Sequence, residues 1–356
     1  KYRDQLPRPS LGSVPTAEQR RGDFSQTRNA NGSLRTIYDP LLIRPNPAFD
    51  PARPVTLSNL QYLRSAFPGN RVPEARMNAI APKVLADIPA PNQTGDPVSN
   101  LNNWLGGGVT ENNKNISFIG RLDHSFNGSW KTFGRFNKEH RNGGQIDYYG
   151  WNTPATSRSH GSERDDGAMA DLVGTLSPAA IFNARFGVTW ARQGSQNYPY
   201  DMGALGFPQS LLRQLQNPNR YPIITFQDYL STSRDDNTIN SNVNYTALAN
   251  LVMIVRSHSM KFGFEYRRLQ AASIMRQNTT GTYGFTRSWT SSNPQLDDGA
   301  SGNAIASFLL GYMSGASANL NVAPYWSWKY PVFFFQDDWQ VSRRLTLNLG
   351  LRWDYE

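Results

Sequence analysis

From Leu345 onward the apolar residues fall on alternate positions. Leu345, Leu347, Leu349, Leu351, Trp353 and Tyr355 are separated by Thr346, Asn348, Gly350, Arg352 and Asp354. A period of two is that of a β-strand whose faces meet different surroundings. The preceding stretch alternates too, with Trp326, Trp328, Tyr330, Val332 and Phe334 on one face, and Ser342-Arg343-Arg344 supplies a tight turn between the two.

Earlier segments repeat the pattern. Ile116, Phe118, Gly120, Leu122 and Phe126 run into Asn127-Gly128-Ser129, and Trp130, Thr132, Gly134 and Phe136 lead away. Asn-Gly between alternating runs is a strong hairpin signal. Ala170, Leu172, Gly174 and Leu176 reach Ser177-Pro178-Ala179; Phe182, Ala184, Phe186, Val188 and Trp190 leave it, opposite Asn183, Arg185 and Thr189. Val243, Tyr245, Ala247, Ala249, Leu251 and Met253 approach Arg256-Ser257-His258, from which Met260, Phe262, Phe264 and Tyr266 depart, opposite Lys261, Gly263, Glu265 and Arg267.

Turns within the pairs are short. Connections between pairs are long: residues 140–167, 192–241 and 269–325. Strands of about ten residues with one apolar face, aromatic ends, short turns at one end and long loops at the other are the pattern of a transmembrane β-barrel. The predicted fold is therefore all-β: an antiparallel transmembrane barrel segment of four hairpins over residues 111–356, about eight strands, with long extracellular loops and short loop helices. Antiparallel parity puts the tight turns on one end, expected to be periplasmic.

Residues 1–110 read as an irregular extracellular loop region, rich in proline. One short helix is expected over Pro73–Asp87, where Met77, Ile80, Ala81, Val84, Leu85 and Ile88 keep helical spacing and Pro82 kinks or restarts the helix. Tyr283, Phe285, Arg287 and Trp289 are expected to form a strand above the membrane, and Asn303–Leu310 a short helix capped near Ser301 or Asn303.

Composition fits a wet barrel. Hydrophobic content is 38% and mean hydropathy −0.57, yet aromatics reach 12%; a barrel needs apolar residues on one face only. No apolar run reaches the roughly 18 residues of a transmembrane helix. Cysteine is absent, which suits a chain crossing an oxidising compartment. The net charge of +9 raises nucleic acid as a partner, but the basic residues are scattered beside acids, as in Arg121 with Asp123 and Lys261 with Glu265. No nucleic-acid partner is expected; outer-membrane lipid is. Lys1-Tyr2-Arg3 begins no apolar leader and the chain ends on a strand, so both ends are expected to be cuts in a longer protein.

Catalytic patterns are missing. His124, His140, His160 and His258 are scattered, and Asp165-Asp166-Gly167 and Asp297-Asp298-Gly299 read as turns rather than calcium loops. No catalytic, metal or cofactor site is expected.

Several segments, in order along the chain, resemble a known family: VPTAEQRRGDFS (residues 14–25), YDP (38–40), FPGNRVP (67–73), PAPN (89–92), RLDH (121–124), HSMKFG (258–263), GN with FLLG (302–303 and 308–311), and FQDDW with LTLNLGLR (335–339 and 345–352). Together they resemble the Oar-like TonB-dependent outer-membrane receptors of acidobacteria. The resemblance implies a barrel of about 22 strands, a plug domain, a TonB-contacting segment and a Gram-negative outer membrane; neither plug nor TonB segment is visible in this sequence. It implies capture of a solute by extracellular loops and its import through plug movement. The solute is unnamed: siderophores, cobalamin-like cofactors, oligosaccharides and peptides all stay open. An outer-membrane adhesion or protein-export barrel of the Oar type is the alternative, and a soluble carbohydrate-binding β protein a third reading.

Two residue sets follow. Arg121, Asp123, Arg135, Arg185, Lys261, Glu265, Arg267 and Arg352 alternate with apolar neighbours and are expected to face the lumen, either touching plug or solute or pairing within a wet wall. Tyr148, Tyr149, Trp151, Tyr198, Tyr200 and Trp289, with Tyr325, are loop aromatics that either stack on a ligand or belong to interfacial belts.

Overall fold

The computed structural model describes residues 10–106, 114–147, 149–156, 159–232 and 237–356. Its largest element is an eight-stranded sheet. In chain order the strands are β1 (Lys114–Ser125), β2 (Trp130–Ile146), β3 (Ser159–Ser177), β4 (Ala180–Asn197), β5 (Asn237–Val255), β6 (His258–Arg276), β7 (Tyr325–Ser342) and β8 (Leu345–Asp354). Each pairs antiparallel with the next, and β1 and β8 are the edges.

The four expected tight turns join β1–β2, β3–β4, β5–β6 and β7–β8, so they share one end of the sheet. Local chemistry fixes them. The Asn127 carboxamide oxygen accepts from the backbone N–H groups of Ser129 and Trp130, each at 2.9 Å. Arg256 adopts φ 54°, the left-handed conformation that a two-residue hairpin turn requires.

The long strands correct one expectation. β2 through β7 run 17 to 19 residues rather than ten. A tilted strand needs only about 9–11 residues to cross the hydrocarbon core, so each continues well beyond it at the end away from the tight turns. β6 keeps Leu269, Ile274 and Met275 there and β7 Tyr325, Trp326 and Trp328, whereas on β3 and β4 the upper parts, such as residues 161–167 and 192–197, are polar on both faces. Without an apolar face they carry no period to read, and the connections shorten to residues 147–158, 198–236 and 277–324.

Register assigns the faces, because directly paired residues share one. Leu122, Gly134, Ala170, Phe186, Ala247, Tyr266 and Pro331 form one row across seven strands. Towards the turns a second row carries Phe182, Leu251, Phe262, Phe335 and Leu351. This is the apolar face, and it includes the expected Phe182, Ala184, Phe186, Val188 and Trp190. On β7 the register separates two sets. Trp326, Trp328, Tyr330, Val332 and Phe334 share a face, but it is the polar one: Val332 pairs with Glu265 and Asp354, Phe334 with Gly263 and Arg352. Phe333, Phe335 and Trp339 continue the leucine face of β8. β7 is aromatic on both faces, so only its partners tell them apart.

Residues 10–106 fold together with the long connections in a cap beyond the other end of the sheet. Phe24, Ile37, Val84 and Ile88 from the first part share a core with Met202, Leu205, Ile224, Ile305 and Leu309, all 2% exposed or less. The expected boundary at residues 110–111 lies outside the described residues. The helix expected from Pro73 begins at Ile80 and ends at Asp87. Pro82 sits in its first turn, where a missing N–H costs nothing, and a separate 3-10 turn occupies Glu74–Arg76. The helix Ala304–Leu309 forms as expected, with the Asn303 side chain accepting from the Ile305 N–H at 2.8 Å. The strand expected through Trp289 stops earlier. Thr282–Phe285 pairs with Ile223–Phe226 and Gly315–Ser317, and Arg287–Thr290 turns as a 3-10 helix. No described helix is long and apolar enough to cross a membrane.

Candidate functional site

The polar face is built by the same register. One row carries Asp123, Phe133, Asp171, Arg185, Leu248, Glu265, Val332 and Asp354; the next carries Arg121, Arg135, Met169, Gly187, Thr246, Arg267 and Tyr330. Lys261 and Arg352 stand in rows nearer the turns. All eight charged residues singled out in the sequence therefore share this face.

Most of the charges are paired along one strand at i and i+2, the spacing that returns a side chain to the same face. Arg121 bonds Asp123 at 2.6 Å, Arg352 bonds Asp354 at 2.8 Å, and Arg267 bonds Glu265. Arg185 crosses to Asp171 at 2.8 Å. Asp171 is buried at 4% exposure and also accepts from Asn183 at 3.2 Å. Two cations lie against rings: Arg121 is 3.8 Å from the Phe133 centroid and Lys261 5.6 Å from that of Phe334. Exposed pairs of this kind contribute little each, about 0–1 kcal/mol. Their effect is a hydrated wall with few uncompensated charges.

Further from the turns the same face is richer in amides and hydroxyls. Asn137, Thr189, Asn244 and Thr246, with Arg135 at the edge nearer the turns, border a depression of about 240 Å³ that also meets Gly167 and Gly187. Of these residues the sequence marked only Thr189, which alternates with Val188 and Trp190. Asn137 begins a stretch of β2 that is polar on both faces, and Asn244 and Thr246 alternate with Val243, Tyr245 and Ala247 but carry no charge to single them out. Among the described residues no three His, Asp or Glu side chains gather as a metal site.

The loop aromatics divide. Tyr148 lies outside the described residues. Trp151 is buried in the cap core at 5% exposure with the Tyr149 ring 5.0 Å away, and Tyr200 packs against buried Tyr221 at 4.8 Å. Burial takes Trp151 out of its expected role as a ligand contact, while Tyr149 and Tyr200 are half-buried, packed on one side against the cap core. Cap formation explains it: once the connections fold on residues 10–106, their largest rings supply the core. Tyr198, Trp289 and Tyr325 remain exposed, with Trp289 stacked on Tyr312 at 5.3 Å.

Two carboxylates tie the cap. Asp39 accepts both nitrogens of the Arg76 guanidinium, at 2.9 and 3.1 Å, and those bonds hold its pKa below the usual carboxylate value. Asp87 accepts from the Tyr221 hydroxyl at 2.9 Å; burial pushes the Asp87 carboxyl up, a shift that this bond opposes, and raises the Tyr221 phenol.

The geometry is that of a sheet with a membrane-compatible face, a wet face and a folded cap. Residues 1–356 match the family model described as outer membrane beta barrel domain. The chain belongs to this family. It is an outer-membrane β-barrel protein of a Gram-negative bacterium. No curated protein matches the sequence. Solved structures similar to the chain include the following two. The outer membrane transporter YddB from Escherichia coli is 12% identical with a TM-score of 0.45, over 75% of this chain and 30% of that one. A mutant of the ferric enterobactin receptor PfeA from Pseudomonas aeruginosa is 13% identical with a TM-score of 0.38, over 69% of this chain and 29% of that one. The chain thus spans less than a third of the length of either.

Proposed function

We propose that this chain is part of a TonB-dependent outer-membrane receptor that captures and imports a solute. The observation that carries the reading is the division of one long-stranded sheet into an apolar face, a paired-charge face and a folded cap at the end away from the tight turns. On this reading the charged face lines the lumen, the cap lies outside the cell, and the tight turns are periplasmic. Among the described residues β1 and β8 each pair on one side only, and closure by further strands would satisfy the backbone groups that open edges leave unpaired in lipid. A barrel of about 22 strands is wide enough to hold a plug.

The test is in-cell photocrosslinking between the full-length protein and the periplasmic domain of TonB. A crosslink that is lost when the energy-transducing complex is deleted is the expected result. A protein that reaches the outer membrane folded but never contacts TonB contradicts import and leaves adhesion or export as its role.

A further inference from the structure

The upper part of the polar face, rich in amides and hydroxyls, has the chemistry of a site. Asn137, Gly167, Thr189, Asn244, Leu269 and Trp328 form one row across six strands. A second depression of about 320 Å³ lies one step further from the turns, where Gly143 and Gly161 leave space between Arg141, Glu163, Gln193 and Asn240. Among the described residues the side chains of Asn137, Thr189, Gln193, Asn244 and Thr246 make no hydrogen bond, so their amides and hydroxyls stand open to whatever enters. On β7 the same face carries Trp326 and Trp328, 44% and 40% exposed. Asn244 and Trp328 are two strand spacings apart, roughly 9.5 Å, a span that one short oligomer covers.

Charge selects the ligand class. Glu139, Glu163 and Asp165 stand on this part of the wall against Arg135 and Arg141, and Arg141 is already paired with Glu163 at 2.9 Å. An anion finds no net attraction there. A neutral molecule with many hydroxyls finds open amide donors and acceptors, and indole faces for its C–H surface.

We propose that this wall binds a neutral oligosaccharide, with Asn137, Thr189, Asn244 and Thr246 bonding its hydroxyls and Trp328 stacking on a ring. The proposal rests on the polar face being the lumen wall and names the solute class for it.

The test uses the full-length protein in detergent micelles, probed with maltohexaose, cellohexaose and xylohexaose, and with ferric citrate as the anionic contrast. Binding is read by tryptophan fluorescence and equilibrium dialysis, with heat-modifiable gel mobility reporting the folded barrel. At least one neutral hexasaccharide binds, and ferric citrate does not compete. Asn244→Ala with Thr246→Ala weakens binding about tenfold, as expected for two lost hydrogen bonds. Trp328→Ala also weakens it and diminishes the fluorescence change. Should the double variant not fold, Asn244→Asp, which keeps the side-chain size, is measured in its place with the same weakening expected. Binding of no hexasaccharide, displacement by ferric citrate, or affinities unchanged in the variants would each overturn the proposal. Because binding at equilibrium needs no TonB, loss of the TonB crosslink with sugar binding retained sinks the receptor reading alone.

Discussion

The Asp39–Arg76 pair shows how single residues hold the cap. Asp39 lies in the strand Tyr38–Pro45 and Arg76 in the turn before the helix Ile80–Asp87, so their two hydrogen bonds pin two otherwise irregular segments. Asp39→Asn removes the charge assistance and should cost the cap about 1.5–3 kcal/mol, read as faster amide exchange over residues 36–88 with the sheet unchanged. The pH dependence has a definite sign. The carboxyl's folded pKa is depressed, so its stabilisation is present above the unfolded value of about 3.9 and is lost as pH falls through the lower, folded value. Native protein should therefore show cap exchange rising on acidification below about pH 4, and the Asp39→Asn variant should lack that component. Equal exchange in both forms across this range would remove the pair from the account. None of this was legible in the sequence, because the partners stand 37 positions apart and the segment between them carries no periodic pattern.

At the scale of elements, legibility followed the solvent contrast across each strand. The lower halves of the strands have one face for lipid and one for water, so Phe182 to Trp190 against Asn183, Arg185 and Thr189 could be assigned from alternation alone. Turn chemistry marked the four hairpins for the same local reason. The upper parts of β2, β3 and β4 are polar on both faces, and there the pattern vanished and Asn137 with it; Asn244 lies in a readable alternation but carries no charge to single it out. β7 failed differently: aromatic residues on both faces make periodicity ambiguous, and only pairing with Glu265 and Asp354 puts Val332 on the polar side. The burial of Trp151 is not legible in the sequence, because burial within the cap depends on contacts far apart in the chain. The face assignment makes a direct prediction. Phe186→Arg should destabilise the folded barrel by about 2–4 kcal/mol if it sits near the bilayer midplane, whereas Thr189→Arg should be mild. Urea titration of both variants in lipid vesicles measures the difference, and equal losses would contradict the faces.

For the whole molecule, the central claim is that a sheet in the outer membrane carries its cap outside and its tight turns inside. The turns share one end by parity, and the cap is a packed unit at the other. Native cysteine is absent from residues 1–356, so once any thiol elsewhere in the full-length protein is replaced, each introduced thiol reports one position without background. Gly128 lies in the β1–β2 turn with open space around it. Leu57 lies on the cap and is 55% exposed. The most direct measurement is labelling of Gly128→Cys and Leu57→Cys in the full-length protein by a membrane-impermeant maleimide on intact cells. The structure predicts that the thiol at position 57 reacts and the one at position 128 reacts only after the outer membrane is permeabilised. Labelling at position 128 with position 57 protected in intact cells would contradict it.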